Sequence, residues 1–140
     1  MTREELSALL ALAGPDELVR VADACLADGV DFEILTPPRV GVVATQVREP
    51  IMGERFLLGD VLACQAEVRL GGTRGWAMRL GDNTTAVVAA AVCDAEYAAN
   101  GPQAALVRQL GADVADRQAA REAAEWAQLA PTIVEFEELK

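Results

Sequence analysis

Residues Glu49–Leu70, EPIMGERFLLGDVLACQAEVRL, decide how the chain folds. Two glycine turns, Gly53-Glu54-Arg55-Phe56 and Gly59-Asp60, precede a run of strict alternation. From Asp60 to Leu70 the residues Leu62, Cys64, Ala66, Val68 and Leu70 share one face, while Gln65, Glu67 and Arg69 share the other. Successive side chains of a strand point to opposite faces, so this pattern is a β-strand with one apolar side and one wet side. Such a strand belongs to an antiparallel sheet with one solvated face, and its neighbours must supply partner strands and a cover.

The neighbours supply both. Upstream, Asp31–Leu35 reads as a short strand stopped by Thr36-Pro37-Pro38, and Val40–Glu49 as a longer one. Pro50–Gly59 reads as a connection and the one candidate linker. Downstream, Gly71-Gly72-Thr73-Arg74 is a hairpin turn, after which Trp76, Met78 and Leu80 are expected to face the core and Arg79 to point away. The cover comes from period-3.6 segments at both ends. Thr2 with Glu5 forms a capping box for a first helix whose stripe is Leu6, Leu9, Leu10 and Ala13. Pro15-Asp16-Glu17 opens a second helix that buries Leu18, Val21, Ala22, Cys25 and Leu26 and is closed by Gly29. Gly81-Asp82-Asn83 offers a cap for an Ala/Val-rich helix over Thr84–Ala99, and Gln103–Leu129 is a longer helix with a bend near Gly111. Thr132–Leu139 reads as a terminal strand. The expected fold is one α+β domain over 1–140, with an N-terminal helix pair, a four-stranded antiparallel meander, C-terminal helices and a short terminal strand.

Composition narrows the function. The chain has 140 residues and a net charge of −10, which disfavours nucleic acid or an anionic membrane as partner. The charge is uneven: residues 1–38 and 80–140 are each net −6, whereas residues 39–79 are net +2 and carry six arginines. Either a neutral sheet is flanked by acidic helices, or the sheet's polar face meets an anion or an acidic partner. Cys25, Cys64 and Cys93 are scattered and histidine is absent, which points to reduced, buried thiols in a cytoplasm and away from zinc. The first residues are acidic and polar, unlike a secretory signal, and no apolar run is long enough to span a bilayer.

Candidate binding residues cluster in the basic third. Arg48, Arg69 and Arg79 would share the polar sheet face with Gln46, Gln65 and Glu67, and guanidinium forks suit phosphate or carboxylate. Cross-strand ion pairing with Glu67 is the plainer use of the same residues. The segment holding Gly53, Arg55, Gly59 and Asp60 could turn backbone N–H groups toward an anion, although it lacks the Lys-Ser/Thr ending of a phosphate loop. Asp82 and its neighbours lie at a helix N-terminus, where capping and anion binding compete as explanations. Asp94 and Glu96 do not share a helix face and make no acid/base pair. Without histidine, a Ser–His or Cys–His nucleophile system is ruled out, and no catalytic residues are expected.

In order along the chain, Pro38, Gly41-Val42-Val43, Gly53 with Phe56, Gly59-Asp60, Val68-Arg69-Leu70, Gly75-Trp76, Gly81 and Asp94-Ala95 resemble the G subunit of bacterial carbon–phosphorus lyase, the PhnG family. Glu17-Leu18 looks like that family's N-terminal segment, and Val134-Glu135-Phe136 like its C-terminal motif. Two departures mark a divergent member: Gly81-Asp82-Asn83-Thr84 replaces a Gly-Arg-Asp-Lys turn, and Gln46-Val47-Arg48 replaces Arg-Gly-Arg. The resemblance implies a required, non-catalytic subunit of a cytoplasmic complex with H, I and J subunits, the I subunit being the direct contact. It implies that the complex replaces the adenine of MgATP with a phosphonate, giving a ribose 1-phosphonate 5-triphosphate, while this chain alone binds no cofactor. An independent anion-binding module or homodimeric scaffold derived from that family is the competing expectation.

Overall fold

The structure is a computed structural model that describes residues 1–132. Its elements are α1 (Arg3–Leu10), α2 (Pro15–Leu26), β1 (Phe32–Arg48), β2 (Arg55–Leu70), β3 (Thr73–Leu80), α3 (Thr84–Ala98) and α4 (Ala104–Leu129), followed by a 3-10 turn at Ala130–Thr132. Of the terminal strand read at Thr132–Leu139, Thr132 ends the 3-10 turn and the rest lies outside the described residues.

The expected helix starts form. Glu5 N–H donates to Thr2 Oγ1 at 3.1 Å, and Thr2 N–H returns a bond to Glu5 Oε2 at 2.9 Å. At α2 the Gly14 N–H donates to Glu17 Oε1 at 2.7 Å. The chain leaves α2 through left-handed Asp28 and Gly29 (φ 65° and 69°), where glycine carries no Cβ penalty. Leu6, Leu10, Leu18, Val21 and Cys25 are buried as their spacing predicts, and all three cysteines are free and buried. Asn83 caps α3, its Oδ1 accepting from the Ala86 N–H at 3.0 Å. α4 runs unbroken through Gly111, which packs against Leu6.

α3 occupies the centre of the fold. Its Ala86, Val87, Ala90, Ala91, Val92, Cys93 and Ala95 are almost fully buried, so it is apolar nearly all round and takes cover on every side. One side rests on β2 and β3, and the rest is wrapped by α1, α2 and α4.

The sheet departs from the sequence reading in two ways. It has three antiparallel strands in the order β1-β2-β3, not four. The segments split at Thr36-Pro37-Pro38 are one strand, because β1 lies at the edge and takes up its prolines at register shifts between Ile34 and Arg39. Proline lacks a ladder donor but is tolerated at an edge strand or a bulge. The second departure is the facing of β3. Trp76, Met78 and Leu80 lie on the outer face opposite Glu67, Gln65 and Ala63, whereas Gly75, Ala77 and Arg79 face α3. Small residues are needed there because the helix sits at backbone contact: a Cβ on Gly75 would lie 2.1 Å from the Ala91 carbonyl oxygen. In β2, Cys64, Ala66, Val68 and Leu70 are buried as expected, but Leu62 lies beyond the helix cover and is exposed.

A charged contact joins α2 to α4. Arg117 Nη1 donates to Glu17 Oε2 at 3.0 Å, and its Nη2 bonds the other carboxylate oxygen. Arg117 holds the Glu17 carboxyl below the usual glutamate range; partial burial opposes this and the Gly14 N–H assists it. A depressed carboxylate contributes stability above its unfolded-state pKa and loses it as pH falls through its folded value. Glu17→Gln is therefore expected to be less stable than the wild type near neutral pH, with the difference shrinking as pH falls below the usual glutamate range and through the depressed value of Glu17. Urea midpoints measured across that range check this.

Candidate functional site

β1 and β2 outrun the rest of the sheet. β3 ends at Leu80 opposite Ala63, and the Gly81 N–H to Leu62 carbonyl bond (2.8 Å) is the last backbone tie from the body to β2. Beyond it, Val43–Arg48 pairs with Arg55–Val61 and with no other strand among the described residues, forming a two-stranded arm roughly 20 Å long. Thr45 pairs with Gly59 and Gln46 with Leu57, so Leu58 is the extra residue of a bulge that re-phases the outer arm.

The tip is a self-contained turn at Glu49–Glu54. Glu49 N–H donates to the Glu54 carbonyl at 2.8 Å and Gly53 N–H to the Glu49 carbonyl at 2.9 Å. The Glu49 carboxylate accepts from Ile51 N–H at 2.6 Å and from Met52 N–H at 2.5 Å. Gly53 is left-handed at φ 71°, which the turn requires. The Gly53–Asp60 segment is therefore no anion loop. Arg55 to Asp60 belong to the β-ladder except at the bulge, and the chain's own carboxylate already occupies the N–H groups of the turn.

The arm's other property is its apolar surface. Ile51 is 88% exposed, Met52 74% and Leu58 65%, and Val43, Val47, Phe56 and Leu57 are exposed beside them. Among the described residues, nothing packs on either face of this ribbon. A lone two-stranded hairpin is marginal in water, and a contiguous exposed apolar patch marks a contact surface.

Of the residues singled out by sequence, Arg48, Gly53, Arg55, Gly59 and Asp60 come together on this arm, and the other three do not. Arg69 lies at the far end of the sheet, where its Nη1 donates to Glu33 Oε2 at 3.0 Å; the Glu67 expected to pair with it forms an ion pair with Arg74 instead, at 3.6 Å. Arg79 is on the helix face rather than the polar one, and its Nη1 donates to the Leu10 carbonyl at the end of α1 at 2.7 Å. Burial holds its pKa below the usual arginine value. Asp82 is an exposed turn residue beside the Asn83 cap. The arm's hydrophobics were missed as site residues, although Phe56-Leu57-Leu58 is a signal: three consecutive apolar side chains cannot all face one core.

Asp94 and Glu96 are buried for structural ends. Asp94 binds Arg3 and the Trp76 N–H, and Glu96 Oε1 accepts from the Gln103 N–H at 2.7 Å, capping α4. Among the described residues no group of three His, Cys, Asp or Glu side chains is placed to hold a metal ion, and no helix is long and apolar enough to cross a membrane.

An α+β body that holds a bare apolar arm out from its sheet defines an assembly component, a chain whose surface is finished by another. The family model described as "Phosphonate metabolism protein PhnG" matches residues 1–140, the whole chain, and the chain belongs to that family. Membership gives it a role in phosphonate metabolism as a subunit of the multi-protein carbon–phosphorus lyase. A comparison with curated proteins found no match.

Proposed function

We propose that this chain is a required, non-catalytic subunit of the cytoplasmic carbon–phosphorus lyase core. It assembles with the H, I and J subunits, most directly with I. In that setting it supports conversion of MgATP and a phosphonate to a ribose 1-phosphonate 5-triphosphate with release of adenine, and the reacting groups belong to its partners. The observation that carries this reading is the arm at Val43–Val61, whose exposed Ile51, Met52, Phe56, Leu57 and Leu58 gain by being covered. Family membership names the system in which that cover is to be sought.

Co-expression with the cognate I subunit tests it. The two chains are expected to co-elute in low salt, and a variant with Ile51, Met52 and Leu58 all replaced by serine is expected to elute alone while staying folded. If the wild-type chain elutes alone, the assembly reading is wrong, and a free-standing anion-binding module or homodimeric scaffold takes its place.

A further inference from the structure

Arg48 and Arg55 are directly opposed in register on the last rung of the arm before the tip. Two like charges facing each other across a strand pair destabilise it. Glu49 and Glu54 are adjacent to them in sequence, but the Glu49 carboxylate is turned back into its own turn and neither forms an ion pair with the rung among the described residues. The ion pairs of the described residues are Arg3–Asp94, Arg69–Glu33, Arg74–Glu67 and Arg117–Glu17, so neither arginine of the rung is in one. With Gln46 and Val47 they line a shallow hollow of about 330 Å³. The next residues inward on the same face are Gln46 and Leu57, while Val47 and Phe56 lie on the opposite face and Ile51 and Met52 lie beyond in the turn. Two guanidiniums with no ion-pair partner among the described residues thus sit at the edge of the apolar patch, beside Leu57 and the exposed Ile51 and Met52 of the turn.

We propose that the Arg48–Arg55 rung reads carboxylate side chains in an apolar cleft of a different protein subunit. This rests on the assembly reading above and adds the chemistry of the contact. Guanidinium forks accept a carboxylate bidentately, and the attraction grows once the surrounding apolar residues exclude water. A small free anion is the weaker fit, because exposed guanidiniums in water hold an ion loosely. A second copy of this chain fits worse. In a two-fold contact centred on this rung, the rung would meet itself, bringing four guanidiniums together between two chains of net charge −10. The partner is therefore a distinct subunit with an apolar cleft and acidic side chains at its wall.

Arg55→Glu converts the rung to an opposite-charge pair, so it separates a docking role from a structural one. The isolated variant is expected to melt at or above the wild-type temperature, since a repulsive pair becomes attractive. Its affinity for the co-expressed H, I and J subunits is expected to fall by at least about tenfold. Arg55→Lys, which keeps charge and loses the fork, is expected to fall between the two. Wild-type assembly with an unaffected Arg55→Glu overturns the docking rung alone, whereas failure of the wild type to assemble overturns the assembly reading along with it. A lowered melting temperature in Arg55→Glu makes the rung structural and overturns the proposal. It is also overturned by saturable binding of inorganic phosphate to the isolated chain that Arg55→Glu abolishes. Self-association of the isolated chain that the same variant abolishes would assign the rung to a second copy and sink the proposal too.

Discussion

Gly75→Ala is expected to destabilise the protein by about 3 kcal/mol, the upper end of what overpacking a core usually costs. The added Cβ would lie 2.1 Å from the Ala91 carbonyl oxygen and 2.7 Å from both the backbone nitrogen and the Cβ of Ala95. None of these atoms is the end of a flexible side chain, so relief requires β3 and α3 to separate. Separation is costly here because the helix face against the sheet is built from alanine and valine, with no long side chain to fill the gap. Against a total stability of roughly 5–15 kcal/mol the loss is large, and Gly75→Val should leave little folded protein at 37 °C. Gly72→Ala is the matched control: a Cβ there meets nothing within 4 Å. Urea unfolding followed by circular dichroism measures both variants. If Gly75→Ala unfolds at the midpoint of Gly72→Ala, the glycine does not set the strand–helix spacing.

The same contact explains why the sequence misled about β3. Alternation puts Trp76, Met78 and Leu80 on one face and Gly75, Ala77 and Arg79 on the other under either phase of the strand. Bulk argues for the first set as core, and close approach of a helix demands the second. The approach of α3 is a tertiary fact with no local trace. Local devices were legible: the Thr2–Glu5 capping box, the Asn83 turn and the buried stripe of α2 each lie within one or two helical turns. Pro37-Pro38 reads as a strand end, yet an edge strand can carry prolines that a central strand cannot. Five of the eight candidate binding residues did fall together, because a hairpin keeps sequence neighbours close. Arg69 and Arg79 separated from them because strand phase and helix position placed each one. The arm itself was half legible. Its glycines and arginines stand out in the sequence, but its apolar residues read as ordinary strand, since whether a strand outruns its cover depends on where β3 and α3 stop.

Asp94→Ala is expected to cost about 3 kcal/mol, because it breaks a buried ionic junction between three elements. Asp94 is only 4% exposed and accepts from Arg3 Nε at 3.1 Å, Arg3 Nη2 at 2.9 Å and Trp76 N–H at 2.9 Å. It thereby pins α1 and β3 to α3. With alanine there, the Trp76 N–H loses its acceptor, a loss worth about 1–3 kcal/mol if water does not replace it. Arg3 is half exposed and also bonds the Arg74 carbonyl, so its head group can rehydrate, which holds the total below the extreme for a fully buried pair. Arg3→Ala is the harsher test of the charge itself, since it leaves a buried carboxylate facing one backbone donor. The two changes share one interaction, so the double variant should lose less than the sum of the singles by about 1–2 kcal/mol. Additive losses in that double-mutant cycle would mean that the junction acts through packing alone. The expected coupling would instead show that α1, although only eight residues long, is anchored to α3 by one arginine–aspartate contact as well as by Leu6 and Leu10.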